Sequence, residues 1–132
     1  MAQAIPEAFR DLLEQPAIAH LATIMPSGTP QVTPVWVDFD GVNLLVNTAR
    51  GRQKDKNMQS RQLVGVEISD PQNPYRYISV RGRVINVTEE GADAHIDKLA
   101  KKYLGLDTYP NRVPGEVRCI YTIEPTRIQA QG

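Results

Sequence analysis

The side chains best suited to chemistry in this sequence are basic and lie close together. Five of the fifteen Lys and Arg residues fall within twelve positions, interrupted by one acid, Asp55; they are Arg50, Arg52, Lys54, Lys56 and Arg61. Arg offers a planar fork of N–H donors and Lys a point charge, and both bind phosphate oxygens. The cluster therefore predicts local capture of an anionic ligand, although a basic run is also typical of a solvated surface.

Side chains for covalent or acid–base catalysis are not evident. His20 and His95 have no nucleophile motif beside them and no metal-ligand spacing, so both are interpreted as structural. Cys119 lies in an apolar segment and is interpreted as a packed thiol. Hydride transfer fits this pattern, because a redox cofactor carries the chemistry while the protein binds, orients and shields it. We therefore predict no catalytic side chain and no metal site.

The basic cluster needs a strand and a helix to position it. Residues 42–47 are predicted to form a strand. This strand leads into Thr48 and then into the loop over residues 50–56, which we call the basic loop. Residues 53–60 contain good helix formers and no β-branched residue, which predicts a short helix starting near Arg52. The first N–H groups of a helix have no partner within it and attract phosphate together with neighbouring cations.

Two further segments are candidates for contact with a planar ring. Residues 31–36 alternate as a strand, but Pro34 cannot donate a backbone hydrogen bond, so the strand can present its backbone to a ligand. Trp36 is also open to interpretation as an ordinary core aromatic. Tyr75 and Tyr77 lie on one face of a later strand, where they either line a ring-binding slot or pack across the sheet.

The remaining pattern predicts a mainly β (α+β) domain covering residues 1–132. A short amphipathic helix is expected around residues 5–13, followed by a hairpin over 18–37. Further strands are expected at 63–69, 75–87 and 117–123, with Ile128 in a short tail. Gly82 indicates a bulge or a barrel corner. Thr88 is predicted to cap a helix that has Glu89 and Glu90 in its first turn and ends before Gly105. Antiparallel pairing of six strands, closed into a barrel with a few short flanking helices, would remove the exposed edges.

Composition limits the setting in which the protein works. The chain carries 15 basic and 15 acidic side chains, so no global field would draw it to nucleic acid or to an anionic membrane. No apolar run approaches a membrane span, and the first residues lack a secretory pattern. We expect a cytoplasmic protein that binds a small molecule.

Three runs carry a resemblance to a known family. Leu21-Ala22-Thr23, the segment from Gly28 to Trp36 and the segment from Gly51 to Asn57 resemble the split-barrel superfamily of pyridoxamine 5'-phosphate oxidase-like flavoproteins. Within it, the chain is most similar to the branch that binds the deazaflavin coenzyme F420 and uses its reduced form to reduce unsaturated substrates. The resemblance implies a six-stranded split β-barrel.

The resemblance also implies a cofactor site at the interface of a homodimer. Arg52 and Lys54 would hold the cofactor phosphate, with Arg50 and Lys56 near further anionic groups. Residues 31–36 would lie along the ring, Asn47 and Thr48 would contact the phosphoribityl-like chain, and residues 75–78 would come from the other subunit. The predicted cofactor-binding residues are Gln31, Thr33, Pro34, Val35, Trp36, Asn47, Thr48, Arg50, Arg52, Lys54, Lys56, Tyr75, Tyr77 and Ile78.

Several functions remain open at this stage. The leading one is hydride transfer from reduced F420 to a small unsaturated organic substrate. An FMN-binding oxidoreductase is the alternative, and a non-catalytic carrier of a flavin, deazaflavin or tetrapyrrole is a further one. The chain lacks the Arg and His substrate-phosphate motif of pyridoxamine phosphate oxidase, so oxidation of that compound is not expected.

Overall fold

The computed structural model describes residues 2–132 and shows one curled antiparallel sheet with short helices around it. A single 3-10 turn, Glu7–Phe9, precedes the first helix. The elements are α1 (Asp11–Glu14), β1 (Ala19–Ile24), β2 (Pro30–Val35), β3 (Asp38–Phe39), β4 (Leu44–Ala49), α2 (Gln53–Ser60), β5 (Leu63–Asp70), β6 (Asn73–Thr88), α3 (Ala92–Leu104) and β7 (Arg118–Gln131). The predicted mainly β antiparallel architecture is confirmed.

Two strands that follow each other in the chain lie at the two opposite edges of the sheet. The order of strands across the sheet is β2-β1-β5-β6-β7-β4-β3, so the two edge strands, β2 and β3, are consecutive in the chain. Only Trp36 and Val37 separate them. The sheet therefore curls into a half-barrel whose two edges are joined by a two-residue link instead of by hydrogen bonds.

The part of the chain that the structure describes forms seven strands, whereas the sequence predicted six. Asp38 and Phe39, which lie between the predicted hairpin over 18–37 and the predicted strand over 42–47, pair with Leu45 and Leu44 to form β3. The Asp40 carboxylate explains this, because it accepts hydrogen bonds from the Val42 and Asn43 N–H groups and tightens the turn. The residues just before the turn are thereby left in position to pair.

The last strand is also longer than predicted. β7 continues through Pro125 to Gln131 and pairs with β6 over most of its length. The register shifts between Arg81 and Gly82, where Gly82 lies opposite Pro125, so the predicted bulge is confirmed. The bulge interrupts regular pairing at the position where proline lacks a donor, and the strand continues beyond it.

The third helix begins later than predicted. Thr88 ends β6, and α3 starts at Ala92. Its N-cap residue is Gly91, which has a left-handed backbone conformation with a φ of +74°. The Thr88 hydroxyl accepts a hydrogen bond from the Glu90 N–H, so it caps a turn and not the helix. The predicted end of the helix before Gly105 is confirmed.

The core lies inside the curled sheet. Its fully buried members include Leu21, Val46, Ile68, Tyr121 and Ile123. α1 packs against β3 and β5, α2 against β1 and β4, and α3 against β4 and β7. Within residues 2–132, no helix has the length and apolar character needed to cross a membrane.

Candidate functional site

The basic loop is folded around one buried acid, Asp55. Its carboxylate accepts hydrogen bonds from the Gly51 N–H at 2.9 Å, from Arg50 Nη1 at 3.0 Å and from the Tyr121 hydroxyl at 2.6 Å. Burial alone would raise the pKa of Asp55, but the hydrogen bonds from Tyr121 and Gly51, with those of Gln59 and Arg50, lower it overall. The acid that interrupts the basic run therefore gives the loop its shape.

Arg50 is committed to this internal structure. Besides Asp55, its Nε donates to Glu89 at 2.9 Å. These hydrogen bonds raise the pKa of Arg50, with the bond to Glu89 contributing most. Arg50 therefore fastens the loop to the segment between β6 and α3.

A cavity of about 320 Å³ opens beside the loop, a size at the lower end of small-molecule sites. It lies between β2, β4, the start of α2, α3 and the loop that leads into β7. Its lining residues are Ile18, Pro34, Val35, Trp36, Asn47, Arg52, Lys54, Ile96, Tyr109, Asn111 and Arg118. Cationic and apolar groups thus meet in one cavity, as recognition of a ring with a charged tail requires.

Three cations converge on this cavity. Arg52 and Lys54 come from the start of α2, and Arg118 comes from the start of β7. Burial lowers the pKa of Lys54, and the charges of Arg52 and Arg118 lower it further. Among residues 2–132, the one carboxylate within 4.0 Å of these cations is Glu116, at 2.7 Å from Arg118 and 3.6 Å from Arg52. The cavity therefore carries an excess of positive charge that an anion would neutralise.

The start of α2 adds neutral donors to these charges. Arg52 is its extended N-cap residue, and no side chain caps the helix there. The N–H groups of the first turn have no partner within the helix. A phosphate held by Arg52 and Lys54 would lie where these donors also reach it.

The link between β2 and β3 gives the cavity an aromatic wall. The Trp36 ring stacks on Tyr103, with centroids 5.2 Å apart, and meets the edge of Tyr109 at 5.9 Å. The Tyr103 hydroxyl accepts from the Val37 N–H at 3.1 Å and donates to the Ala17 carbonyl at 2.9 Å. Burial raises the pKa of Tyr103, so it is neutral and can donate. α3 therefore holds the link that closes the half-barrel.

A chain of hydrogen bonds leads away from the cavity through Asn47. The Asn47 amide oxygen accepts from Arg118 Nε at 2.9 Å, and its nitrogen donates to the Ala92 carbonyl at 2.9 Å. His95 Nδ1 lies 3.1 Å from the same nitrogen, and His95 Nε2 lies 3.0 Å from Asp38. The cavity is thus connected by polar contacts to β3 and α3.

Six of the fourteen predicted residues line this cavity: Pro34, Val35, Trp36, Asn47, Arg52 and Lys54. β2 is an edge strand, and within residues 2–132 it pairs only with β1, so one side of its backbone is free there, as the presence of Pro34 suggested. Asn47 and Thr48 point to opposite faces of β4. Thr48 is buried away from the cavity lining, and its hydroxyl has no hydrogen-bond partner among residues 2–132.

The other predicted residues lie elsewhere on the chain. Gln31 accepts a hydrogen bond from Thr23, Thr33 is half-buried on β2, and Lys56 is exposed on α2. At the start of β6, Tyr75 is 81% exposed, the Tyr77 hydroxyl donates to Gln131, and Ile78 is buried in the core. Arg50 lines a larger cavity of about 520 Å³ between α2 and β6. Among residues 2–132, Arg50 is the one Lys or Arg that lines this larger cavity, and it is already paired with Asp55 and Glu89.

Sequence reasoning did not identify Ile18, Ile96, Tyr109, Asn111 or Arg118 as cavity residues. Arg118 stands opposite Ala49 in the pairing of β4 with β7. The one available signal was a charged residue at the start of a strand otherwise rich in bulky apolar side chains. His95, interpreted as structural, contacts the cavity residue Asn47.

Comparison with known proteins places these observations in a family. Residues 5–132 match the family model described as Pyridoxamine 5'-phosphate oxidase. A solved structure named F420 reductase is 36% identical, with a TM-score of 0.84, over 95% of this chain and 98% of that one. A search of curated proteins found no match.

More distant structures share the fold alone. A putative pyridoxamine 5'-phosphate oxidase from Listeria innocua is 17% identical, with a TM-score of 0.70, over 94% of this chain and 95% of that one. HutZ, a heme storage protein from Vibrio cholerae, is 11% identical, with a TM-score of 0.69, over 98% and 96%. The fold therefore occurs in proteins with different named roles.

Proposed function

The chain belongs to the pyridoxamine 5'-phosphate oxidase family, and from that premise we propose that it is a cytoplasmic, homodimeric oxidoreductase that uses coenzyme F420. In this proposal, the reduced deazaflavin supplies a hydride to a small unsaturated organic substrate. The observation that carries the proposal is the convergence of Arg52, Lys54 and Arg118 on one cavity. The similarity to a structure named F420 reductase over nearly the whole of both chains supports the choice of cofactor.

The chain's own residues bind and orient in this proposal. Arg52 and Lys54, with the first N–H groups of α2, hold the phosphate. The free backbone edge of β2 and the Trp36 ring lie along the ring system, while Ile18 and Ile96 exclude water from it. No side chain is assigned a proton-transfer role, so solvent supplies the proton to the product.

The start of β6 supplies the rest of the site in the dimer. Tyr75 is 81% exposed and Tyr77 is partly exposed, so both are available to a second copy of the chain. In the proposed homodimer these tyrosines cover the cofactor of the partner subunit. The 320 Å³ cavity of one chain is then one part of a larger composite site.

Binding titrations of F420 and of FMN, followed by ligand fluorescence, test the proposal. We expect the wild-type protein to bind F420 at micromolar concentration or tighter. Lys54→Ala removes a charge-assisted contact with phosphate and is expected to weaken binding about 10- to 100-fold. Lys101→Ala is the matched control, since Lys101 is exposed on α3 and pairs with Asp107 outside the cavity; it should bind like the wild type.

The two titrations separate the candidate functions. Preferential binding of FMN would transfer the proposal to a flavin-dependent oxidoreductase. Tight binding of F420 without reduction of any unsaturated acceptor in a broad panel would indicate a carrier. A protein that binds neither cofactor, or a Lys54→Ala variant that binds F420 like the wild type, would contradict the proposed site.

A further inference from the structure

We propose that Arg118 is a third anion-binding residue of the cavity, and that the chain of hydrogen bonds Asp38–His95–Asn47 positions it. This inference rests on the proposed function, because the anion in question is the cofactor phosphate. It deepens that function by assigning roles to four residues that the basic loop does not contain. One of them, His95, has no other evident role.

The orientation of the Asn47 amide is the first step. Arg118 Nε can only donate and the Ala92 carbonyl can only accept. The amide therefore has its oxygen toward Arg118, at 2.9 Å, and its nitrogen toward Ala92, at 2.9 Å. With the amide turned over, its N–H groups would face the donor Arg118 Nε, and its oxygen would face the acceptor carbonyl of Ala92.

The state of His95 follows from that orientation. The Asn47 nitrogen points a hydrogen at His95 Nδ1, 3.1 Å away, so this ring nitrogen must accept. The ring hydrogen is then on Nε2, which donates to Asp38 at 3.0 Å. Asp38 is anchored in turn by Lys98 Nζ at 3.0 Å and by the Phe39 N–H at 2.9 Å. One neutral tautomer of His95 satisfies every contact, as in histidines held by a carboxylate.

Asp38 is suited to anchor this chain. Burial alone would raise the pKa of Asp38, but the hydrogen bonds from His95 and Lys98 lower it strongly overall. The group therefore stays ionised and keeps accepting from His95 across the physiological range. The position of Arg118 on β7 is in this way set from β3, the edge strand on the other side of β4.

The remaining donors of Arg118 point to an anion. Arg118 is 6% exposed, with Nε on Asn47 and Nη1 on Glu116 at 2.7 Å. Its guanidinium lies 5.3 Å from the centroid of the Tyr109 ring. Within residues 2–132, Nη2 makes no hydrogen bond, and the residue lines the cavity together with Arg52 and Lys54. A guanidinium fixed in this way presents a preorganised donor to phosphate, with little side-chain entropy left to lose.

The test compares ligands with and without the phosphate. FMN and riboflavin differ by the phosphate alone, whereas F420 and its deazaflavin alcohol also differ by the acidic tail that the phosphate links to the ring side chain. Affinity is measured for F420 and for the deazaflavin alcohol without phosphate, and likewise for FMN and riboflavin. Arg118→Met is expected to weaken binding of the phosphorylated member of a pair about 10- to 100-fold and of the phosphate-free member less than about threefold. His95→Leu should produce part of the same selective loss, because the Asn47 amide loses its contact with His95 and then holds Arg118 less firmly. His95→Gln retains an acceptor and a donor and should restore affinity to within about threefold of the wild type.

Controls separate positioning from stability. His20→Leu removes the other histidine, which pairs with Glu67 on the outer side of β1, and should leave all four affinities unchanged. If Arg118→Met does not fold, the comparison of His95→Leu with His95→Gln still tests the chain. Equal losses for phosphorylated and phosphate-free ligands, or a lower melting temperature in His95→Leu with wild-type phosphate selectivity, would overturn the inference. If the wild type itself binds none of the four ligands, the proposed function fails and the inference falls with it.

Discussion

Lys54 illustrates the proposed anion site at the scale of a single residue. Burial and the neighbouring charges of Arg52 and Arg118 lower its pKa, which means that the surroundings disfavour its charged form. An anion among the three cations would reverse this effect. Strained electrostatics of this kind are typical of functional sites, where binding compensates for the repulsion.

Asp55 gives a prediction at the residue scale. Asp55→Asn should destabilise the protein by about 1–3 kcal/mol at neutral pH, because the amide cannot accept all the hydrogen bonds that the buried carboxylate receives. The pKa of Asp55 is lowered in the folded chain, so its stabilisation is fully present above the unfolded value of about 3.9 and is lost as pH falls through the folded pKa.

Thermal unfolding of wild type and variant across pH measures this difference. It should be constant from about pH 5 upward and shrink below about pH 4. Asp107→Asn is the control, since the Asp107 side chain is 91% exposed, and it should change little at any pH. A stability difference between wild type and Asp55→Asn that grows on acidification would contradict this account.

At the scale of elements, Gly82 is the position where β6 tolerates no side chain. A Cβ there would lie 2.5 Å from Ile123 Cγ2 and 3.1 Å from the Glu124 carbonyl oxygen. Gly82→Ala is therefore expected to destabilise the fold by about 1–3 kcal/mol through overpacking. Chemical denaturation at equilibrium measures the change.

Gly65 on the neighbouring strand β5 is the matched control. A Cβ at Gly65 would meet Ala22 Cβ at 3.7 Å, an ordinary contact. Gly65→Ala should be neutral or stabilising by up to about 1 kcal/mol, because it restricts the unfolded chain. Similar destabilisation by both substitutions would show that the close contacts of a Cβ at Gly82 are not the cause.

The elements that the sequence predicted well are those with local signals. α2 was predicted at its observed bounds from composition, and the Gly82 bulge from one glycine in a strand pattern. The start of α3 was wrong because Thr88 looks like a helix cap, whereas Gly91 with positive φ begins the helix three residues later. The end of β7 was wrong because Pro125 reads as a strand terminator, and only the bulge on β6 makes it acceptable.

The residues of the candidate site were likewise predictable where their signal was local in the sequence. Arg52, Lys54 and Asn47 lie in or next to the basic run and carry a local signal. Arg118 reaches the cavity only because β7 pairs with β4. In that pairing Arg118 lies opposite Ala49, which is 69 positions away in the sequence. Non-local pairing of this kind leaves no mark in residue spacing.

At the scale of the whole molecule, the proposed dimer gives a prediction about shared sites. If Lys54 of one subunit and Tyr75 of the other hold the same cofactor, Lys54→Ala and Tyr75→Ala each weaken both sites. Mixing the two variants under conditions of subunit exchange should restore wild-type affinity in about one quarter of sites, since half of the random dimers then contain one intact site. Sedimentation should give twice the 14.7 kDa chain mass. A monomer, or no recovery on mixing after confirmed exchange, would contradict the composite site.

The position of β7 has a consequence for synthesis of the protein. β4 carries Asn47 and leads into the basic loop, yet its partners in the sheet are the two-residue β3 and β7. On a ribosome adding about 5–20 residues per second, β7 follows β4 by roughly 3 to 14 seconds. During that interval the nascent chain has an unpaired strand edge and no Arg118 beside its other cations. If the proposed site is correct, full affinity for the cofactor is therefore reached only after β7 has emerged, and a chaperone would find the edge of β4 exposed until then.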